Sequence, residues 1–141
     1  MDYGNAIELK LETDLKYLEL VENVTDVVTR MMGFEEDAKY WITMAVRESV
    51  SNAMLHGNKM DQNKRVTIRF EVHADNLTVT VVDQGPGFDP GRLPDPLAPE
   101  NLLKPSGRGI FYIRSFMDEV EFKSHPDGME IRMIKKLTSK L

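Results

Sequence analysis

Apolar and charged residues alternate from Ala6 to Glu12, with Ile7, Leu9 and Leu11 set against Glu8, Lys10 and Glu12, the period of two that marks a strand with one buried face. Thr13 is placed to cap the helix that follows. There Leu15, Leu18, Val21, Val24 or Thr25, Val28 and Met32 recur at helical spacing as far as Gly33, a C-terminal stop. A second helix is predicted to start near Glu35 to Asp37, where acidic side chains suit the positive end of the dipole, and to reach about Leu55. Its apolar stripe is Ala38, Trp41, Ile42, Ala45, Val46, Val50 and Ala53. Met31, Met32, Met44 and Met54 also fall at helical spacings, so they and Trp41 are expected to fill the core. The period then returns to two. Val66, Ile68, Phe70 and Val72 alternate with polar residues, and Asp75-Asn76 leads at once into Leu77, Val79 and Val81, a hairpin with a tight turn.

Regular patterning stops between Gln84 and Gly109, which hold six of the seven prolines and five of the nine glycines. A loop of this length in a compact domain reads as a functional lid or a disordered segment. Beyond it, Ser106 is placed to cap a third helix over Ile110 to Met117. A last hairpin joins Val120–Ser124 to Met129–Leu137 around His125-Pro126-Asp127-Gly128. Hairpins dominate over β-α-β crossovers, so the expected class is α+β: a two-layer sandwich with a mostly antiparallel mixed sheet and about three helices on one face. A Rossmann fold would need an alternation that is missing.

Length and composition narrow the function classes. At 141 residues, 41% hydrophobic and 29% charged, the chain suits one globular domain over residues 1–141. No apolar run approaches the roughly 20 residues of a membrane span, and the N-terminus lacks the pattern of a secretory signal, so no membrane association or export is expected. The absence of cysteine excludes disulfides, thiolate metal sites and a cysteine nucleophile, and fits a cytoplasmic protein. The three histidines, His56, His73 and His125, are scattered, and none reads as a metal ligand. With a net charge of -5 and no Lys/Arg cluster longer than a pair, nucleic acid is not an expected partner, which leaves a protein or a small ligand.

Three constellations carry chemistry. Glu48, Asn52 and His56 are spaced by four on the second helix and share one face, which taken alone also describes the solvated edge of an amphipathic helix. Asp83-Gln84-Gly85-Pro86-Gly87-Phe88-Asp89 ends a strand; its carboxylate can accept an exocyclic amine and its glycines let backbone approach a ligand, although a plain glycine turn has the same form. Ser106-Gly107-Arg108-Gly109-Ile110 leads into a helix whose free amides and dipole suit phosphate, as they would any capped helix start.

In this order the three motifs resemble those of the GHKL ATPase superfamily, which includes gyrase, histidine kinases and mismatch-repair ATPases. Glu48 to Asn58 (E-S-V-S-N-A-M-L-H-G-N) is similar to its N box, Asp83 to Asp89 to its first glycine box and Ser106 to Ile110 to its second. Within the superfamily the chain most resembles the bacterial anti-sigma-factor serine kinases, and the stretch from Gly109-Ile110 to Phe116-Met117-Asp118-Glu119-Val120 adds to that likeness. Histidine kinases usually carry Asn where Glu48 stands, and their phosphoacceptor helix has no counterpart here.

The resemblance implies ATP and Mg²⁺ as cofactors, with Asn52 as the metal ligand, Asp83 as acceptor of the adenine amino group and Glu48 as the catalytic base. It implies Gly85, Gly87, Ser106, Gly107 and Gly109 as phosphate contacts or hinges of an ATP lid at about residues 84–109, with Arg108 or Lys104 stabilising charge at the γ-phosphate. The implied activity is transfer of the γ-phosphate to a serine or threonine of an anti-sigma-factor antagonist, together with binding of a sigma factor. The implied setting is the cytoplasm, and relatives of this type commonly form homodimers. A non-catalytic, nucleotide-dependent binding switch and a histidine-kinase-like ATP-binding component are the alternatives. The chain departs from the family twice: Pro105 replaces a basic residue before the Ser-Gly of the second glycine box, and Gly128-Met129 replaces a Gly-Thr in the last hairpin.

Overall fold

A computed structural model describes residues 5–85 and 105–138, with backbone alone for 105–108. Five strands, β1 (Asn5–Glu12), β2 (Arg65–Val72), β3 (Asn76–Val82), β4 (Glu119–His125) and β5 (Gly128–Lys136), form one sheet in the order β1-β2-β3-β5-β4. All four pairings are antiparallel, so the mixed character allowed by the sequence is not seen among the described strands. The register sets apolar residues opposite one another: Leu9 faces Ile68, Phe70 faces Val79, Val81 faces Ile131 and Met133 faces Val120. Helices α1 (Leu18–Met32), α2 (Glu36–Asn52) and α3 (Pro105–Phe116) supply the other side of the core, where Val21, Val28, Ile42, Val46, Val50 and Ile113 are buried with the sheet residues. The opposite sheet face carries Arg69 with Glu8 and Glu71, and Arg132 with Glu121, exposed pairs that contribute little to stability. The expected α+β two-layer architecture is therefore the observed one.

Several local expectations need correction. Thr13 does not cap the first helix. A single 3₁₀ turn, Leu15–Tyr17, precedes α1 and is capped by Asp14, whose carboxylate accepts from Lys16 N–H at 3.0 Å. Thr13 is instead buried and donates its hydroxyl to the Lys64 carbonyl at 2.7 Å. Ser106 is not a cap either, because α3 already begins at Pro105; proline at a first helical position loses no bond the helix needs. Trp41 is 43% exposed and stacks on Phe116 with centroids 4.6 Å apart, and Met31 is 76% exposed, whereas Met54 is fully buried. Helical spacing marks the neighbours of the core stripe without fixing its width, so side chains at its margin share the period of the core and yet lie outside it.

The segment expected to form the lid lies largely outside the described residues, as do Gly87 and Lys104. Among the described elements, the end of β3, the start of β5, the C-terminus of α2 and the N-terminus of α3 meet at one end of the molecule.

Candidate active site

Helix α2 supplies the first two functional side chains. Glu48 and Asn52 lie one turn apart and are half-buried, and neither side chain is hydrogen-bonded to any described residue. The close neighbour of both is Gly109: a Cβ there would fall onto Glu48 Oε1 and within 3.0 Å of Asn52 Nδ2. A larger residue there would leave room for this approach only if the Glu48 and Asn52 side-chain ends moved aside, away from the positions they hold. By helix geometry the N–H groups of that first turn lack intrahelical acceptors, so a carboxylate, an amide and a helix start with anion-binding character are gathered together. Ser106, Gly107 and Arg108 belong to the same turn of α3.

After Asn52 the helix widens into a π-turn, Ala53–Gly57, closed by Asn58 N–H on the Ala53 carbonyl at 2.7 Å. Such bulges often occur at functional sites. This one delivers Gly57 to the second part of the site, where a Cβ would overlap Asp83 Oδ2, and the Gly57 carbonyl lies against Gly85. His56 lies in the π-turn and is exposed.

Asp83 follows the last residue of β3 and is 7% exposed. Its Oδ1 accepts from Gly85 N–H at 2.9 Å and Met129 N–H at 3.1 Å, while Oδ2 accepts from no described residue. Burial pushes the carboxyl above the ordinary carboxylate range; the two backbone donors and the charge of Lys64 oppose that rise. A buried carboxylate with one oxygen held by backbone and the other uncommitted is suited to accept a ligand amine. Met129 is also buried, yet stands apart from the main core cluster, beside this carboxylate.

Gly57, Asn58 and Gln84 carry no individual role in the sequence pattern, and Thr13, expected there as a helix cap, joins them in one network beside the site. Asn58 accepts from Gln84 N–H at 2.7 Å and donates to Thr13 Oγ1 at 2.9 Å and to the Arg65 carbonyl at 3.1 Å. Gln84 Oε1 accepts from Arg65 N–H at 2.6 Å. Bonds of this kind, joining side chains to backbone across distant segments, leave no periodic trace in a sequence. The only available signal was position, since Gly57 and Asn58 close the N-box stretch and Gln84 follows Asp83.

A family model described as "Histidine kinase-like ATPase domain" matches residues 11–135. The chain belongs to this ATP-using family. Its curated relatives include the serine-protein kinase RsbW of Bacillus subtilis, 31% identical over 140 positions, covering 95% of this chain and 87% of the relative. The RsbW of Bacillus velezensis is 31% identical over 137 positions, covering 93% and 85%, and that of Bacillus cereus (strain ATCC 10987) is 28% identical over 141 positions, covering 96% and 87%. The fold matches a solved structure of the RsbU and RsbW domains of Rv1364c from Mycobacterium tuberculosis, with a TM-score of 0.71 at 14% identity over 96% of this chain and 33% of that one. It also matches the histidine kinase domain of a blue-light-activated kinase from Erythrobacter litoralis, with a TM-score of 0.54 at 16% identity over 84% of this chain and 59% of the other. The kinship is thus with the serine-kinase branch, as the motifs implied, while the histidine kinase shares the fold.

Proposed function

We propose that this chain is an ATP-dependent serine/threonine protein kinase of the anti-sigma-factor type, which transfers the γ-phosphate of ATP to an antagonist protein and regulates a sigma factor by binding it. The observation that carries the reading is the seating of the α3 N-terminus on Glu48 and Asn52, whose polar ends are uncommitted among the described residues. Phosphoryl transfer requires mainly positioning and charge neutralisation, with a carboxylate near the incoming hydroxyl. Glu48 takes the proton of that hydroxyl as its oxygen bonds to the γ-phosphorus, and the bond from phosphorus to the β–γ bridging oxygen breaks to release ADP.

Asp83 Oδ2 accepts the adenine amino group, and the first turn of α3, with Ser106, Gly107 and Gly109, cradles phosphate. Gly85 and Gly87 give the backbone room beside the nucleotide, and Arg108 or Lys104 offsets γ-phosphate charge. No group of three or more His, Asp or Glu side chains is arranged to hold a metal among the described residues, so Asn52 would hold Mg²⁺ jointly with phosphate oxygens, as this ion favours. When bound, the ion neutralises phosphate charge. The whole of residues 1–141 acts in this reading as one ATP-binding unit, working as a homodimer in the cytoplasm; no described helix is long and apolar enough to cross a membrane.

Two variants test the division of labour. Glu48→Gln keeps size and polarity but is a far weaker proton acceptor, so ATP affinity is expected to persist while transfer falls by about 10²- to 10⁴-fold. Asn52→Ala is expected to weaken Mg²⁺-ATP binding itself. Full transfer by Glu48→Gln would remove Glu48 as the base, equal loss of binding in both variants would end the division of labour, and ATP bound by the wild-type chain without any transfer would replace the kinase reading with that of a nucleotide-dependent switch.

A further inference from the structure

We infer that Asn58 is a positioning residue for nucleobase selection, acting through the backbone of Gln84 to aim the carboxylate of Asp83. Asn58 is 1% exposed and its side-chain amide is fully engaged. Both hydrogens of Nδ2 are used, on Thr13 Oγ1 and the Arg65 carbonyl, and Oδ1 takes the N–H of Gln84. The Thr13 hydroxyl is itself committed to the Lys64 carbonyl, so it can only accept from Asn58. The orientation of the amide follows, because a flipped group would turn an NH₂ towards the Gln84 N–H and an oxygen towards the Arg65 carbonyl.

Three segments converge on this one side chain: the junction after β1, the start of β2 and the backbone immediately after Asp83. Gln84 is the central residue of the turn that Asp83 closes on itself, since Asp83 Oδ1 accepts from Gly85 N–H. Fixing Gln84 N–H fixes the rotation of that turn. Oδ1 is thereby kept on the backbone donors of Gly85 and Met129, and Oδ2 is kept beside Gly57, free of described donors. Asn58 also closes the π-turn through its own N–H, so the helix that bears Glu48 and Asn52 and the loop that bears Asp83 are joined at a single residue.

The inference rests on the proposed acceptance of the adenine amino group by Asp83, and the test separates the two. Affinities are measured for ATP and for purine riboside triphosphate, which lacks only the 6-amino group, and the ratio between them is the readout. The wild-type chain is expected to prefer ATP, Asp83→Ala to lose that preference, and Asn58→Ala to reduce it by about tenfold, as expected when an acceptor is misaligned. Asn58→Ser, whose hydroxyl is one bond short of Gln84, carries the same expectation should the alanine variant not fold. Thr13→Val removes one anchor of Asn58 but keeps the bonds to the Arg65 carbonyl and Gln84 N–H, so it is expected to lower thermal stability and to change the ratio far less than the Asn58 variants do. A purely structural role for Asn58 would lower both affinities together and leave the ratio intact. If Asp83→Ala keeps the wild-type ratio, the reading of Asp83 falls and the inference with it. If Asp83→Ala loses the ratio while the Asn58 variants retain it, or Thr13→Val lowers it as far as they do, the inference alone is overturned.

Discussion

At Asp83, the burial that lifts the carboxyl above its ordinary range also sets a pH dependence with two opposite signs. A raised value in the folded state means that the folded chain keeps the proton to higher pH than the unfolded chain. Stability from this group is therefore fully present below the ordinary carboxylate value and is lost as pH rises through the raised one. Nucleotide binding runs the other way, because a protonated Oδ2 is a poor acceptor for an amine. Lowering the pH through this window is expected to stabilise the free wild-type protein relative to Asp83→Asn while weakening its affinity for ATP. Thermal melts and titration calorimetry on both proteins at matched pH check this, and parallel behaviour of the two would remove Asp83 as the cause. At neutral pH, Asp83→Ala is expected to weaken ATP binding by about 5- to 150-fold, the cost of leaving a buried donor unmet. Asp83 was legible in the sequence because a carboxylate at a strand end followed by two spaced glycines has a readable physical purpose. Asn58 was not, because its importance comes from backbone groups that only the fold brings to it.

Helix ends were the least legible elements, and they are where the site is built. A helix over Ile110 to Met117 capped by Ser106 is the sequence expectation, yet α3 starts at Pro105, where the seating of Gly109 on α2 is a tertiary contact that outweighs low local propensity. Gly109→Ala would drive a methyl group into Glu48 and Asn52, and is expected to lower transfer by roughly tenfold or more while the protein remains folded, since small misplacements are costly in this chemistry. Labelled-ATP kinetics with a circular-dichroism control decide it; full activity would mean that α3 does not need its close approach. The π-turn was equally invisible, because the N-box stretch continues with good helix formers. It is followed by two non-glycine residues in the left-handed region, Lys59 at φ 52° and Met60 at φ 58°. Lys59 is exposed, so Lys59→Gly is expected to relieve about 1 kcal/mol and raise the melting temperature by roughly 3 °C. An unchanged or lower midpoint would show that this backbone stores no such strain.

At the scale of the whole molecule, the element order and the two-layer class were readable because each hydrophobic period matched one element type and tight turns paired the hairpins. The strand order β1-β2-β3-β5-β4 was not, because adjacency in sequence gives no reason for β5 rather than β4 to lie beside β3. That choice matters for function: it brings Met129 N–H to Asp83 and closes the base of the site. In the proposed reaction this assembly transfers phosphate to another protein's hydroxyl. That transfer is tested most directly by incubating the purified chain with Mg²⁺, γ-labelled ATP and a lysate of its own host, then identifying the labelled protein and residue. The expected result is label on a serine or threonine of a second protein, lost with Glu48→Gln although that variant still binds ATP. Label on histidine, or ATP bound by the wild-type chain with no label transferred, would contradict it.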